Sequence, residues 1–255
     1  MDLSRDKVVS EVVARLSRSQ GPVKVEGTWG SFARLLTSHI SRTLHRPVLH
    51  LCAHIDDADR AFDDLKTFGA ERVELLPAWE GEEELADATD ETRAQRLRIV
   101  SLLSDSEGGG LKNLVIAAPV QALCQPIPKP SALRASALQV TRSQTVDPEA
   151  VIEWLVQNNF ERVDAVDLPG QFARRGGIID IYAPLARITA GADGASVDES
   201  QAVRVEFFGD TVESIREINL DTQRSTQEIQ DIRIIAAASG AVVEQRELFT
   251  NILPE

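Results

Sequence analysis

Cysteine is scarce in this 255-residue chain. Cys52 and Cys124 are the two present, and two thiols build no disulfide framework. Long apolar runs are also missing: no stretch of about 18 such residues occurs, so no helix is expected to span a membrane. The N-terminal MDLSRDKVVSEVV mixes acids with bases and has no apolar signal core, so a cytoplasmic setting is expected. Positive charge is in short supply. With 27 Lys and Arg against 40 Asp and Glu, the formal net charge is −13, which argues against gripping nucleic acid over a broad basic surface. Such a balance suits a soluble protein with protein partners. Tyrosine occurs once, at Tyr182.

What is present divides the chain in two. In the first half, helical patterns (6–16, 31–44, 57–69, 92–103) alternate with β-rich runs (21–27, 47–55, 71–79, 113–120). That alternation predicts a parallel sheet covered by helices. At CQPIPKPSAL (124–133) the closely spaced prolines can continue neither a helix nor a central strand. Beyond it, LQVTRSQTV reads as a strand and 147–158 as a helix opened by Pro148. RVDAVDL, GQFARRGGIIDIYAP, QAVRVEFFGD and TVESIREINL read as short strands, with GADGASVDES (191–200) as a polar linker. The pattern predicts an α/β chain: a parallel-sheet domain over 1–125, an inserted β-rich α+β domain over 126–230, and a return to the first domain over 231–255.

The stretch VEGTWGSFARLL (25–36) lies where a phosphate-binding loop is expected, between a β-rich run and a helix. Such a loop needs glycines that let the backbone curl around phosphates, a lysine for the β- and γ-phosphates, and a Ser or Thr for magnesium. Aligned to G-x-x-G-x-G-K-T, Gly27 and Gly30 stand in place. Phe32 replaces the third glycine, Ala33 the lysine and Arg34 the magnesium ligand. An offset guanidinium does not replace the compact ammonium there. From these residues alone, an ordinary strand–turn–helix is an equal reading.

FERVDAVDLPGQFARRGGIIDIYAPL (160–185) and VRVEFFGDTVESIREINLDTQRS (203–225) are more specific. They resemble a segment shared by the transcription-repair coupling factors (the Mfd family) and their relative, the excision-repair helicase UvrB. LLPAWE (75–80) and ETRAQRLRIVSLL (91–103) also resemble the coupling-factor family, so the resemblance runs from about Gly21 to Ala236. It implies a degenerate RecA/helicase-like domain carrying an inserted domain that binds UvrA, with Gly27, Gly30, Ala33 and Arg34 marking a decayed nucleotide loop. A UvrB-type, damage-verifying ATPase is the competing reading. Against it stand the missing lysine and the acidic EGEEELADATDE (80–91), where UvrB carries a tyrosine-rich hairpin. One tyrosine in the chain builds no stacking hairpin.

The resemblance implies a non-catalytic, UvrA-recruiting module for transcription-coupled nucleotide excision repair, without a cofactor of its own. ATP and magnesium would serve the family's motor, and RNA polymerase and DNA its further domains, all C-terminal to this chain, which is then expected to be a fragment. Its implied partner-binding residues are Arg175, Arg204 and Phe208, with Arg174 adding charge beside them. Arginine suits bidentate recognition of carboxylates, and arginine with an exposed aromatic makes interface hot spots. Strand alternation places Arg204, Glu206 and Phe208 on one face and Val203, Val205 and Phe207 on the core face. Read without the resemblance, Arg175 and Arg204 equally pair with acids on the sheet and Phe208 is half-buried. A structural remnant that binds no UvrA also fits. Gly176 and Gly177 read as a turn or bulge. His50, Cys52 and His54 alternate as a metal corner would, but with no fourth ligand in view they read first as core or edge positions.

Overall fold

The computed structural model describes residues 3–18, 21–79, 91–104, 111–189, 196–235 and 245–253. In chain order these form α1 (Lys7–Arg18), α2 (Phe32–Leu44), β1 (Val48–Cys52), α3 (Ile55–Thr67), β2 (Arg72–Leu75), α4 (Glu91–Ser104) and β3 (Leu114–Pro119). There follow α5 (Val120–Cys124), β4 (Pro126–Pro128), α6 (Pro130–Ala135), β5 (Ala137–Thr141), α7 (Pro148–Gln157), β6 (Glu161–Arg162), β7 (Gln171–Arg175) and β8 (Ile178–Thr189). The last are β9 (Ser196–Phe208), β10 (Thr211–Asn219), β11 (Arg224–Ile229), β12 (Asp231–Ile235) and β13 (Arg246–Leu248). The fold is mixed α/β, with one parallel sheet, one mainly antiparallel one and a two-stranded antiparallel pair of β4 and β13, and it divides into two compact units.

The first unit takes in 1–79, 105–125 and 252–255. Its sheet has the order β1-β3-β2, all parallel. LVIAAP of β3 is buried at every position, as a central strand covered on both faces requires. Ala58, Ala61 and Leu65, spaced along one face of α3, pack with Cys52, Val115 and Ala117.

The run 21–27 forms no strand. It holds just two branched apolar residues, Val23 and Val25. Val25 is exposed, and Lys24 pairs with Glu26 in solvent, so nothing is buried that would hold a further strand on the sheet.

The second unit takes in 80–104 and 126–251. Its eight-stranded sheet runs β11-β10-β9-β8-β12-β5, with β7 on the first half of β8 and β6 beyond it. The core face gathers Val140, Phe172, Ile179, Ile181, Val203, Val205, Val212, Ile215 and Ile232 beneath Val151 and Leu155 of α7. Helix α7 starts as its sequence dictates: Asp147 caps the first turn by accepting from the Glu149 N–H at 2.9 Å, and Pro148 follows it.

Four further segments differ from expectation. RVDAVDL (162–168) is strand only at Arg162, where β6 ends, and continues as irregular chain. The strand at 231–235 does not return to the parallel sheet: Ile232 and Ile234 enter the second core, and β12 pairs antiparallel with both β5 and β8. The helix at 91–104 groups with the second unit, where Arg96 donates to the Pro126 carbonyl at 3.2 Å. Residues 196–200, read as linker, begin β9, while 191–195 and the acidic 80–90 lie outside the described residues.

Candidate functional site: the polar face of the antiparallel sheet

Side chains on the face of the sheet opposite α7 stand in cross-strand rows. Asp180 of β8 faces Arg204 of β9, which faces Arg216 of β10. In the next row Ile178 faces Glu206, which faces Ser214. Phe208 ends β9 opposite Thr211. A register shift between Val212 and Ser214 gives β10 one extra residue, so Val212 keeps to the core while Ser214 still meets Glu206. Further along the same face, Val166, Ala173, Ala202 and Ile218 form a small second core against Tyr182.

Arg204 and Arg216 lie directly across from each other, a like-charge pairing that destabilises a sheet on its own. Each has its own carboxylate. Arg204 donates Nε to Asp180 Oδ1 at 2.7 Å and Nη2 to Asp180 Oδ2 at 2.8 Å. The Asp180 hydrogen bonds hold the Arg204 pKa above its ordinary value. Arg216 approaches Glu206 Oε2 at 3.6 Å, and the Ser214 hydroxyl donates to that oxygen at 2.6 Å. Asp180 is 1% exposed and the Arg204 side chain 15%.

Phe208 is 80% exposed, while Phe207 beside it is buried. The tight turn at Gly176–Gly177 lies against this strand: the Phe207 N–H donates to the Gly177 carbonyl at 2.7 Å. A Cβ on Gly177 would sit 2.8 Å from the Phe207 carbonyl oxygen, so the close approach needs a glycine. Arg175 ends β7 on the same face of the sheet, with β8 between it and the Phe208 strand. It is exposed, and its Nη2 donates to the Asp164 carbonyl at 2.7 Å.

The four residues named for this face do not all meet. Arg175, Arg204 and Phe208 share it. Arg174 alternates to the α7 side with Phe172, where its Nη1 lies 2.5 Å from Glu149 Oε1. Asp180 was missed, since nothing in GGIIDIYAP marks one acid as the mate of a distant arginine. The strand alternation that put Glu206 on this face also reaches Arg216, once the register shift in β10 is known.

The loop in the first unit has a different character. Gly27 and Gly30 adopt positive φ (79° and 54°), with nothing within 4 Å of a Cβ placed on either. Arg34 Nη1 lies 2.6 Å from Asp64 Oδ2 of α3. Hydrogen bonds from Arg34 and Ser31 hold the Asp64 carboxyl below its usual range. His50 Nδ1 lies 3.1 Å from the Thr37 hydroxyl, and burial followed by the Arg34 charge lowers its pKa. Cys52 is buried, which raises its pKa, and His54 is exposed at the start of α3. Among the described residues no group of three or more His, Cys, Asp or Glu side chains is placed to hold a metal ion.

Residues 138–239, nearly the whole eight-stranded sheet, match the family model of the UvrB interaction domain. This part of the chain is similar to a UvrB interaction domain. The chain is also similar to transcription-repair-coupling factors well beyond that domain. The protein of that name from Bacillus subtilis is 32% identical over 210 residues, covering 82% of this chain and 16% of that protein. For the one from Mycobacterium bovis the identity is 32% over 196 residues, 75% of this chain and 15% of that protein. For the one from Myxococcus xanthus it is 27% over 245 residues, 92% and 19%. The chain thus spans under a fifth of the length of these relatives. All the residues of the polar face lie within the matched residues, and the Gly27–Arg34 loop lies outside them.

Proposed function

We propose that the chain recruits UvrA in transcription-coupled nucleotide excision repair, through the Arg175, Arg204 and Phe208 face, and carries no catalytic activity of its own. The observation that carries this reading is Phe208, a large aromatic held at 80% exposure on the sheet face that also carries Arg204 and the exposed Arg175. A phenylalanine left in water on a folded sheet gains its burial energy only when a partner covers it, and aromatic and arginine anchors dominate interface energetics. The bulk charge of −13 fits a protein partner better than nucleic acid.

The first unit is read as the decayed half of a RecA-like helicase fold. Ala33 leaves the loop without its phosphate cation, and Arg34 is turned to Asp64. Contacts with RNA polymerase, DNA, ATP and magnesium are assigned to other parts of the longer proteins that this chain resembles, in the cytoplasm.

Calorimetric titration of the chain with its cognate UvrA tests the reading, beside an Arg175→Ala/Phe208→Ala variant with an unchanged melting curve. Binding that the variant loses is expected. Equal binding by both would move the contact elsewhere, and no binding by the folded parent would leave a structural remnant.

A further inference from the structure

We infer that Asp180 is a positioning residue for partner recognition: it fixes Arg204 so that the guanidinium meets a partner carboxylate end-on, on the face that carries Phe208. The inference rests on the UvrA-recruiting reading of this face and adds to it a residue and a geometry.

The argument begins with which edge of the guanidinium is occupied. A carboxylate can grip arginine side-on, through Nε and one Nη, or end-on, through both Nη atoms. Asp180 takes the side-on edge with both oxygens, at 2.7 and 2.8 Å. What remains is the end, where Nη1 reaches Ser225 Oγ at a weak 3.5 Å. A partner cannot displace Asp180 cheaply, since that carboxylate is buried and would be left unpaired. The end-on edge costs less to engage, because Ser225 is a neutral mate held at the limit of hydrogen bonding.

The second consideration is entropic. A free arginine side chain loses rotamer freedom when a partner pins it. Here Asp180 has already pinned Arg204 in the unbound sheet. The β8–β9 register sets the two residues directly opposite each other, so the pairing is built into the strand alignment. Asp180 also offsets the charge of Arg204, as Glu206 offsets that of Arg216. The row therefore presents direction rather than net charge, and recognition by Arg204 is expected to depend on geometry more than on long-range attraction.

The test uses the full chain as Asp180→Asn, Arg204→Ala and their double variant, with Phe208→Ala as a reference. Asparagine keeps the shape but turns an amide donor against the guanidinium. Side-chain NMR of the Arg204 Nε–H, without any partner, is expected to show slow exchange in the parent and fast exchange in Asp180→Asn. Calorimetry against UvrA is expected to show Asp180→Asn weakened about tenfold, as Arg204→Ala is, with the double variant no weaker than Arg204→Ala alone.

Parental affinity in a folded Asp180→Asn whose Nε–H exchanges fast, with Arg204→Ala weakened, would overturn the positioning role. Slow exchange in Asp180→Asn would overturn the pairing itself. Should Phe208→Ala and Arg204→Ala both bind like the parent while the exchange contrast persists, the recruiting face has failed and the inference falls with it. Were Asp180→Asn not to fold, Arg204→Lys decides: it keeps the charge without the planar end. It is expected to bind like Arg204→Ala, and parental affinity would overturn end-on recognition.

Discussion

Two arginines, Arg34 and Arg204, each hold an aspartate, and the surroundings give the two pairs opposite meanings. Arg34 stands where a phosphate loop would place its magnesium ligand, and Asp64 claims its guanidinium. Phe32, at the first position of α2 near this pair, is 38% exposed, against 80% for Phe208. Trp29 is exposed nearby, but on a loop that belongs to no strand or helix. Arg204 sits in the middle of a rigid sheet, one row from Glu206 and two from Phe208. The contrast teaches that a paired arginine is not by that fact withdrawn from function. What matters is which edge remains open, and what stands next to it on a rigid element.

The first way to sharpen the comparison is to ask how rigid the second sheet is. Phe172 is fully buried in its core. Phe172→Ala should cost about 3–5 kcal/mol in chemical denaturation, enough to loosen the face above it. A loss near zero would mean that the core repacks and that rigidity does not explain the site.

Gly177→Ala is the next largest. The added Cβ would meet the Phe207 carbonyl oxygen at 2.8 Å, and backbone has to move. A loss of about 1–3 kcal/mol in thermal stability is expected, with weaker UvrA binding as the end of β9 that carries Phe208 shifts. Parental behaviour in both assays would uncouple the turn from the site.

In the first unit the expected effects are smaller and depend on pH. The folded carboxyl of Asp64 titrates below its unfolded value of about 3.9. Its contribution is therefore present above that value and is lost as pH falls through the folded pKa. A double-mutant cycle of Arg34→Ala and Asp64→Ala should give a coupling of about 1 kcal/mol at neutral pH. As pH falls through the folded pKa of Asp64 the coupling should fade. His50 tilts stability the same way at higher pH. Its folded pKa is lowered, so the unfolded chain takes up more protons and stability falls as pH drops below about 6.5. A His50→Gln variant should flatten that part of the pH–stability curve. A coupling that persists in acid, or an unchanged curve, would remove the electrostatic account of this cluster.

The smallest effect expected is none at all. Ala33→Lys restores the missing ammonium but leaves Phe32 in place of glycine and Arg34 on Asp64. No saturable, magnesium-dependent ATP binding should appear in a fluorescent-nucleotide titration. Its appearance would mean that the loop has kept its phosphate geometry, and the two arginine sites would then differ less than they seem.

Much of this molecule is written locally. LVIAAP reads as a buried central strand because all its side chains are apolar, and α7 begins where Asp147 and Pro148 say it should. VRVEFFGD puts Phe208 outward because side chains alternate and Val203, Val205 and Phe207 claim the core. Other features could not be read this way. GPVKVEG has the alternation of a strand but too little to bury. IRIIAAA has apolar residues that suit either sheet, and long-range pairing with β5 and β8 chose the second.

The sequence by itself determined the composition of the site: the arginines, the exposed aromatic, the glycine turn and the absence of a phosphate-binding lysine. Those are properties of residue type and short spacing, and no fold is needed to see them. Only the tertiary structure decided which arginine faces which way. Arg174 and Arg175 are neighbours in the chain, yet the pleat sends one to Glu149 and the other to the Phe208 face. Asp180 and Arg204 are bound together by a strand register that no local pattern specifies, because cross-strand partners are chosen by the packing of the whole sheet.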